Sequence, residues 1–129
     1  MPEPVLRHVF VYGSLRRGGS NDITRLQPAP RFVGPAQIAG TLYDLGPYPG
    51  LRLGGRGRVQ GEVYAIMAGL ERVLDEIEEV QPQASGEYFK RLVPVPVQGL
   101  MLPCIVYEIS PDRVIGKPVI AGGDWLKRH

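Results

Sequence analysis

A chain of 129 residues, 43% hydrophobic and 22% charged, has the size and balance of one compact domain that buries its own core, which excludes a disordered or fibrous chain. Fifteen Lys and Arg against thirteen Asp and Glu leave a formal charge of +2, too little to demand a polyanionic partner. Seventeen glycines and thirteen prolines in so apolar a sequence are therefore read as turns.

Val9-Phe10-Val11-Tyr12 is a β-branched and aromatic run stopped by Gly13, the pattern of a buried strand. Residues 14–19 follow as a loop with two arginines, and Ser20-Asn21-Asp22 then offers polar caps to a short helical turn through Ile23 and Leu26. From 32 to 45 apolar residues recur without a helical period, interrupted at Gly34-Pro35, and Gly46-Pro47-Tyr48-Pro49-Gly50 makes a stiff turn. The glycine-rich Gly54-Gly55-Arg56-Gly57-Arg58 is expected to divide a short strand over 51–53 from a second one. In that second strand Val59, Gly61, Val63 and Ala65 alternate with Gln60, Glu62 and Tyr64.

The period then changes. Leu70, Val73, Leu74 and Ile77 fall at i, i+3, i+4 and i+7, the apolar stripe of an amphipathic helix that must end before Pro82. After a polar loop over 81–87, Tyr88 to Val97 carries Pro94 and Pro96 two residues apart, so both missing donors face one side and the strand belongs at a sheet edge. A last strand over 104–109 precedes a tail containing Gly122-Gly123-Asp124-Trp125. With no repeat and no linker, residues 1–129 are expected to form a single α+β domain. Its mixed sheet curls into a small barrel-like form, with one main amphipathic helix over an opening.

Several chemistries are excluded by what is missing. Gly13 to Ser20 has the glycine spacing of a phosphate loop, but Gly19 stands where the phosphate-binding lysine is needed. Gly55 to Gly61 misses the dinucleotide fingerprint and precedes a strand, not a helix. Ser14 lacks the G-x-S-x-G elbow, and the histidines, His8 and His129, supply no base for a triad. Two histidines and one cysteine so scattered make no zinc site, so neither metal nor cofactor is expected. Cys104 reads as a small core residue, and Arg56 and Arg58 as an exposed hairpin tip, with no nucleic-acid partner. The lone cysteine, the absence of a 20-residue apolar run and a start without an apolar leader are together read as cytoplasmic, with no membrane partner.

Two features remain. After the first strand, the amides of Ser14 and Leu15, following Gly13, can converge into a nest suited to a carboxylate, or can be an ordinary turn. Glu78 continues the row Leu70, Leu74 along the border of the buried stripe, at the helix's C-terminal end. Dipole and burial both raise a carboxylate's pKa there, toward that of a general base; a solvated acidic face is the plainer reading.

Val11-Tyr12-Gly13-Ser14-Leu15 with Gly18, and Leu74-Asp75-Glu76-Ile77-Glu78, resemble the Tyr-Gly-Ser/Thr-Leu loop and Leu-Asp-x-x-Glu segment of the gamma-glutamylcyclotransferase-like superfamily, in its gamma-glutamylamine cyclotransferase-like branch. The run from Leu42 to Gly50, then Gly61-Glu62-Val63-Tyr64, Tyr88-Phe89-Lys90-Arg91 and Gly123-Asp124-Trp125, follows in the family's order, so the likeness spans nearly the whole chain. The resemblance implies a metal-independent cyclotransferase that releases 5-oxoproline from a small gamma-glutamyl amine or peptide. Glu78 would be its general acid/base, and Tyr12, Gly13, Ser14, Leu15 and Tyr88 would bind substrate, with Tyr107 a weaker third tyrosine and the stiff turn from Gly46 to Gly50 a wall near the carboxylate nest. One departure is Glu79, where the family commonly has glycine. The alternative is a module on the same fold that binds a carboxylate metabolite without catalysis.

Overall fold

The computed structural model describes residues 7–77 and 88–127. In chain order these are β1 (Arg7–Val11), β2 (Arg31–Asp44), β3 (Pro49–Ile66), α1 (Ala68–Ile77), β4 (Tyr88–Val97) and β5 (Leu100–Ile109). Short 3-10 segments lie at Ile23–Arg25, Pro111–Val114 and Trp125–Lys127. Among the described residues the strands form one mixed sheet in the order β2-β3-β1-β5-β4, parallel at β1–β5 and antiparallel elsewhere. The α+β reading therefore holds.

Alternation along the strands builds two cores. Phe10 points to one side with Leu42, Leu51, Val63, Val95 and Val106, joined by Trp125 from the C-terminal tail. Val9 and Val11 point to the other, where they meet Tyr64, Ile105 and Ile109 and the helix residues Leu70 and Leu74. The helix thus covers a face of the sheet, not an opening, because its Leu70–Leu74 stripe meets side chains of alternating strand positions. Burying each of those leucines contributes about 1.5–3 kcal/mol.

The other side curls around the first core until the edge strands approach. Gly34 of β2 packs closely on the end of β4, since a Cβ there would stand 3.0 Å from Val97 Cγ2, and Gln98 Nε2 donates to the Val33 carbonyl at 3.1 Å. The edge position expected of β4 is found. Pro94 lies opposite Pro103, a pairing that only a non-hydrogen-bonded register accommodates, so the donor-less nitrogen of Pro94 faces away from β5.

Two boundaries differ from expectation. β3 is one strand, not two: Leu53 pairs with Gly40 and Arg58 with Ala39, so 54–57 bulge outward from a ladder that resumes, with Gly54 and Gly55 at φ of 92° and 81°. Arg56 and Arg58 are exposed on or beside this bulge, not at a hairpin tip. β5 begins at Leu100, not at 104, because Gln98 and Gly99, at φ of 55° and 75°, close a two-residue hairpin with β4. Among the described residues no helix is long and apolar enough to cross a membrane.

Candidate active site

Where β1 ends, the chain folds into a tight loop held by its own carbonyls. Arg16 N–H donates to the Gly13 carbonyl at 3.0 Å, Asn21 N–H to that of Ser14 at 2.8 Å, and Ile23 N–H to that of Leu15 at 2.9 Å. Among the described residues the amides of Ser14 and Leu15 have no such backbone acceptor, and both residues line a pocket.

The loop is braced on both sides. Asp22 accepts from Gly18 N–H at 2.9 Å, from Thr24 N–H at 2.9 Å and from the Thr24 hydroxyl at 2.6 Å. Burial pushes the Asp22 carboxyl upward, but these hydrogen bonds outweigh it and hold the group below the usual carboxylate value. Arg16 bridges Glu62 of β3 at 3.0 Å and Asp124 of the tail at 2.7 Å, and Arg17 N–H donates to Glu62 at 2.9 Å. Arg16 therefore fastens the loop to the sheet and is committed to protein carboxylates.

Gly13 differs from expectation. Its φ is not positive; what requires glycine is Pro49, whose Cγ would lie 2.6 Å from a Cβ at position 13. Within the loop it is Gly18, at φ 89°, that takes the left-handed turn.

The pocket has a volume of about 180 Å³. It is lined by the five residues named from sequence, Tyr12, Gly13, Ser14, Leu15 and Tyr88, together with Tyr107. Asn21, Tyr48, Pro49 and Ile77 also line it, and sequence reasoning did not name them as site residues. Of these, Tyr48 and Pro49 belong to the 46–50 turn, which was expected only as a stiff wall near the β1 loop. The volume falls below the roughly 300–1,000 Å³ of drug-sized sites and suits an amino-acid-sized group.

Tyrosine hydroxyls fix the walls. Tyr12 donates to the Tyr107 carbonyl at 2.5 Å, Tyr88 to the Pro49 carbonyl at 2.8 Å, and Tyr107 to Asp75 Oδ1 at 2.8 Å. Tyr48 and Tyr88 approach with ring centroids 6.4 Å apart at 50°. Cys104 lies in the first core with its thiol pushed up to about 11 by burial, so it is a neutral packing group at physiological pH. Among the described residues no cluster of His, Cys, Asp and Glu could hold a metal ion.

Glu78 and Glu79, the expected helix end, the 81–87 loop and His129 lie outside the described residues. Ile77, the residue before Glu78, lines the pocket.

The family model described as gamma-glutamyl cyclotransferase, AIG2-like, matches residues 9–127. A Vibrio cholerae protein whose gamma-glutamylcyclotransferase identity is provisionally assigned is 43% identical, over 93% of this chain and 96% of its own. The gamma-glutamylaminecyclotransferase of Bos taurus is 35% identical, over 96% of this chain and 79% of its own. The crystal structure of an AIG2-like protein from Mus musculus matches with a TM-score of 0.72 at 28% identity, covering 88% of this chain and 84% of that one.

Proposed function

The chain belongs to the gamma-glutamyl cyclotransferase, AIG2-like family, and from that premise we propose that it releases 5-oxoproline from a gamma-glutamyl amine or gamma-glutamyl peptide. The observation that carries this reading is one pocket walled by the Tyr12-Gly13-Ser14-Leu15 loop and by Ile77 at the end of α1.

The chemistry asks for little. The substrate's α-amine attacks its own γ-carbonyl; a C–N bond closes the five-membered ring and the C–N bond to the leaving amine breaks. Because nucleophile and electrophile belong to one molecule, orientation supplies much of the rate and no protein nucleophile is needed. The Ser14 and Leu15 amides hold the α-carboxylate, and the walls of Tyr12 and Tyr88 keep the chain bent. The α-ammonium must first lose a proton. Glu78 takes it, and the attacking nitrogen gives up a second proton as the ring closes; the departing amine gains one through Glu78 and the other on release as an ammonium, so protons and charge balance over the cycle. Residues 1–129 act as one domain, and the single buried Cys104 suits a reducing, cytoplasmic setting.

The experiment compares a free-amine gamma-glutamyl amide with its N-acetylated counterpart. Cyclisation needs the free amine, so 5-oxoproline is expected from the first and no cleavage of the second. Equal cleavage of both would mean attack by water or by a protein group. Binding of the free-amine compound without turnover would make the pocket a carboxylate-binding module.

A further inference from the structure

Asp75 lies on α1 outside the pocket, yet it touches the elements that build three of the pocket's walls. Its Oδ1 accepts the hydroxyl of Tyr107, at 2.8 Å, and Tyr107, from β5, lines the pocket. Its Oδ2 accepts Lys90 Nζ at 2.9 Å, and Lys90 is two residues along β4 from the pocket-lining Tyr88. Asp75 is itself two residues before Ile77, which lines the pocket from α1.

The Lys90 contact is reinforced. The same ammonium also bonds Glu71, one helical turn before Asp75, and Glu71 pairs with Arg7 of β1 at 2.9 Å. The side chains of Asp75 and Lys90 are 33% and 25% exposed, so the pair is shielded enough to hold its geometry better than a surface ion pair does.

We propose that Asp75 is a positioning residue for the cyclisation, setting the end of α1, Tyr88 and Tyr107 at their mutual distances so that the substrate is held bent for ring closure. This rests on the cyclotransferase reading. It differs from a stability role because an intramolecular reaction depends steeply on alignment, and a misplacement of about 1 Å can cost about 100-fold in rate. Loosening the three walls should therefore appear in kcat, whereas a residue that only stabilises the fold changes the amount of folded protein.

The test measures 5-oxoproline release from a gamma-glutamyl amine by the wild type, Asp75→Ala, Tyr107→Phe and the double variant, with rates normalised to folded protein by thermal unfolding. Asp75→Ala is expected to lower kcat at least fivefold with KM changed less than threefold. The loss in the double variant should fall short of the product of the two single losses, because both changes cut the Asp75–Tyr107 tie. A smaller loss, a loss confined to KM, or losses that multiply would overturn the proposal. Where Asp75→Ala does not fold, Asp75→Asn is judged by the same kcat and KM criterion; it keeps the volume and an acceptor for Tyr107 but drops the charge facing Lys90. A wild type that releases no 5-oxoproline overturns the functional reading, an outcome distinct from a wild type and Asp75 variants that turn over alike.

Discussion

Gly13 and Pro49, both lining the pocket, touch one another. A Cβ on residue 13 would stand 2.6 Å from Pro49 Cγ and 3.0 Å from its Cδ, so the β1 loop and the 46–50 turn approach as closely as they do only because residue 13 is glycine.

Gly13→Ala is therefore expected to separate the two walls. Overpacking of this kind costs about 1–3 kcal/mol. The measurement is thermal unfolding together with 5-oxoproline release: a lowered Tm and at least a tenfold loss of kcat/KM are expected, although no side chain of the pocket is removed. Full activity in Gly13→Ala would show that this contact does not shape the site.

Tyr88→Phe removes the donor that serves the Pro49 carbonyl at 2.8 Å while keeping the ring that lines the pocket. The expected loss is about 1 kcal/mol in denaturant unfolding, the worth of one buried hydrogen bond. KM should rise with it, since the Tyr48-Pro49 wall loses its link to β4. An unchanged midpoint and an unchanged KM would assign the hydroxyl no part in holding that wall.

Asp22 gives the loop an acid-side weakness. Its folded-state carboxyl sits below the ordinary value of 3.8 through its Thr24 and Gly18 hydrogen bonds, which prevail over burial. A depressed carboxylate contributes stability that is present above the unfolded value and is lost as pH falls through the folded one. Urea unfolding of the wild type and of Asp22→Asn should therefore differ most near neutrality, with the gap closing as pH falls below the ordinary carboxylate value and through the depressed one. A gap that stays constant through the acid range would contradict the assignment.

Much of the architecture was legible because it is local. The β-branched run at 9–12, the i, i+3, i+4, i+7 stripe from Leu70 to Ile77 and the proline pair in β4 each specify their element without distant help. The misreadings are long-range in origin. Gly54 to Arg58 looked like a break between strands, yet the ladder resumes because β2 offers Ala39 directly after Gly40. The helix went to a sheet face because Val9, Val11 and Ile105 present an apolar surface there that no single segment reveals. In the site, the β1 loop carried its motif in consecutive residues. Asn21, Tyr48 and Pro49 join it only through tertiary contact, and Gly13 was expected for its dihedral freedom when the reason lay at Pro49.

The most direct test of the account is 5-oxoproline release by Glu78→Gln. Glutamine keeps the size of the side chain and cannot accept the proton of the substrate's ammonium group. Turnover is expected to fall by about 100- to 10,000-fold, the usual worth of a general acid/base, with Tm and substrate affinity retained. A folded Glu78→Gln protein that turns over at close to the wild-type rate would contradict the proposed mechanism.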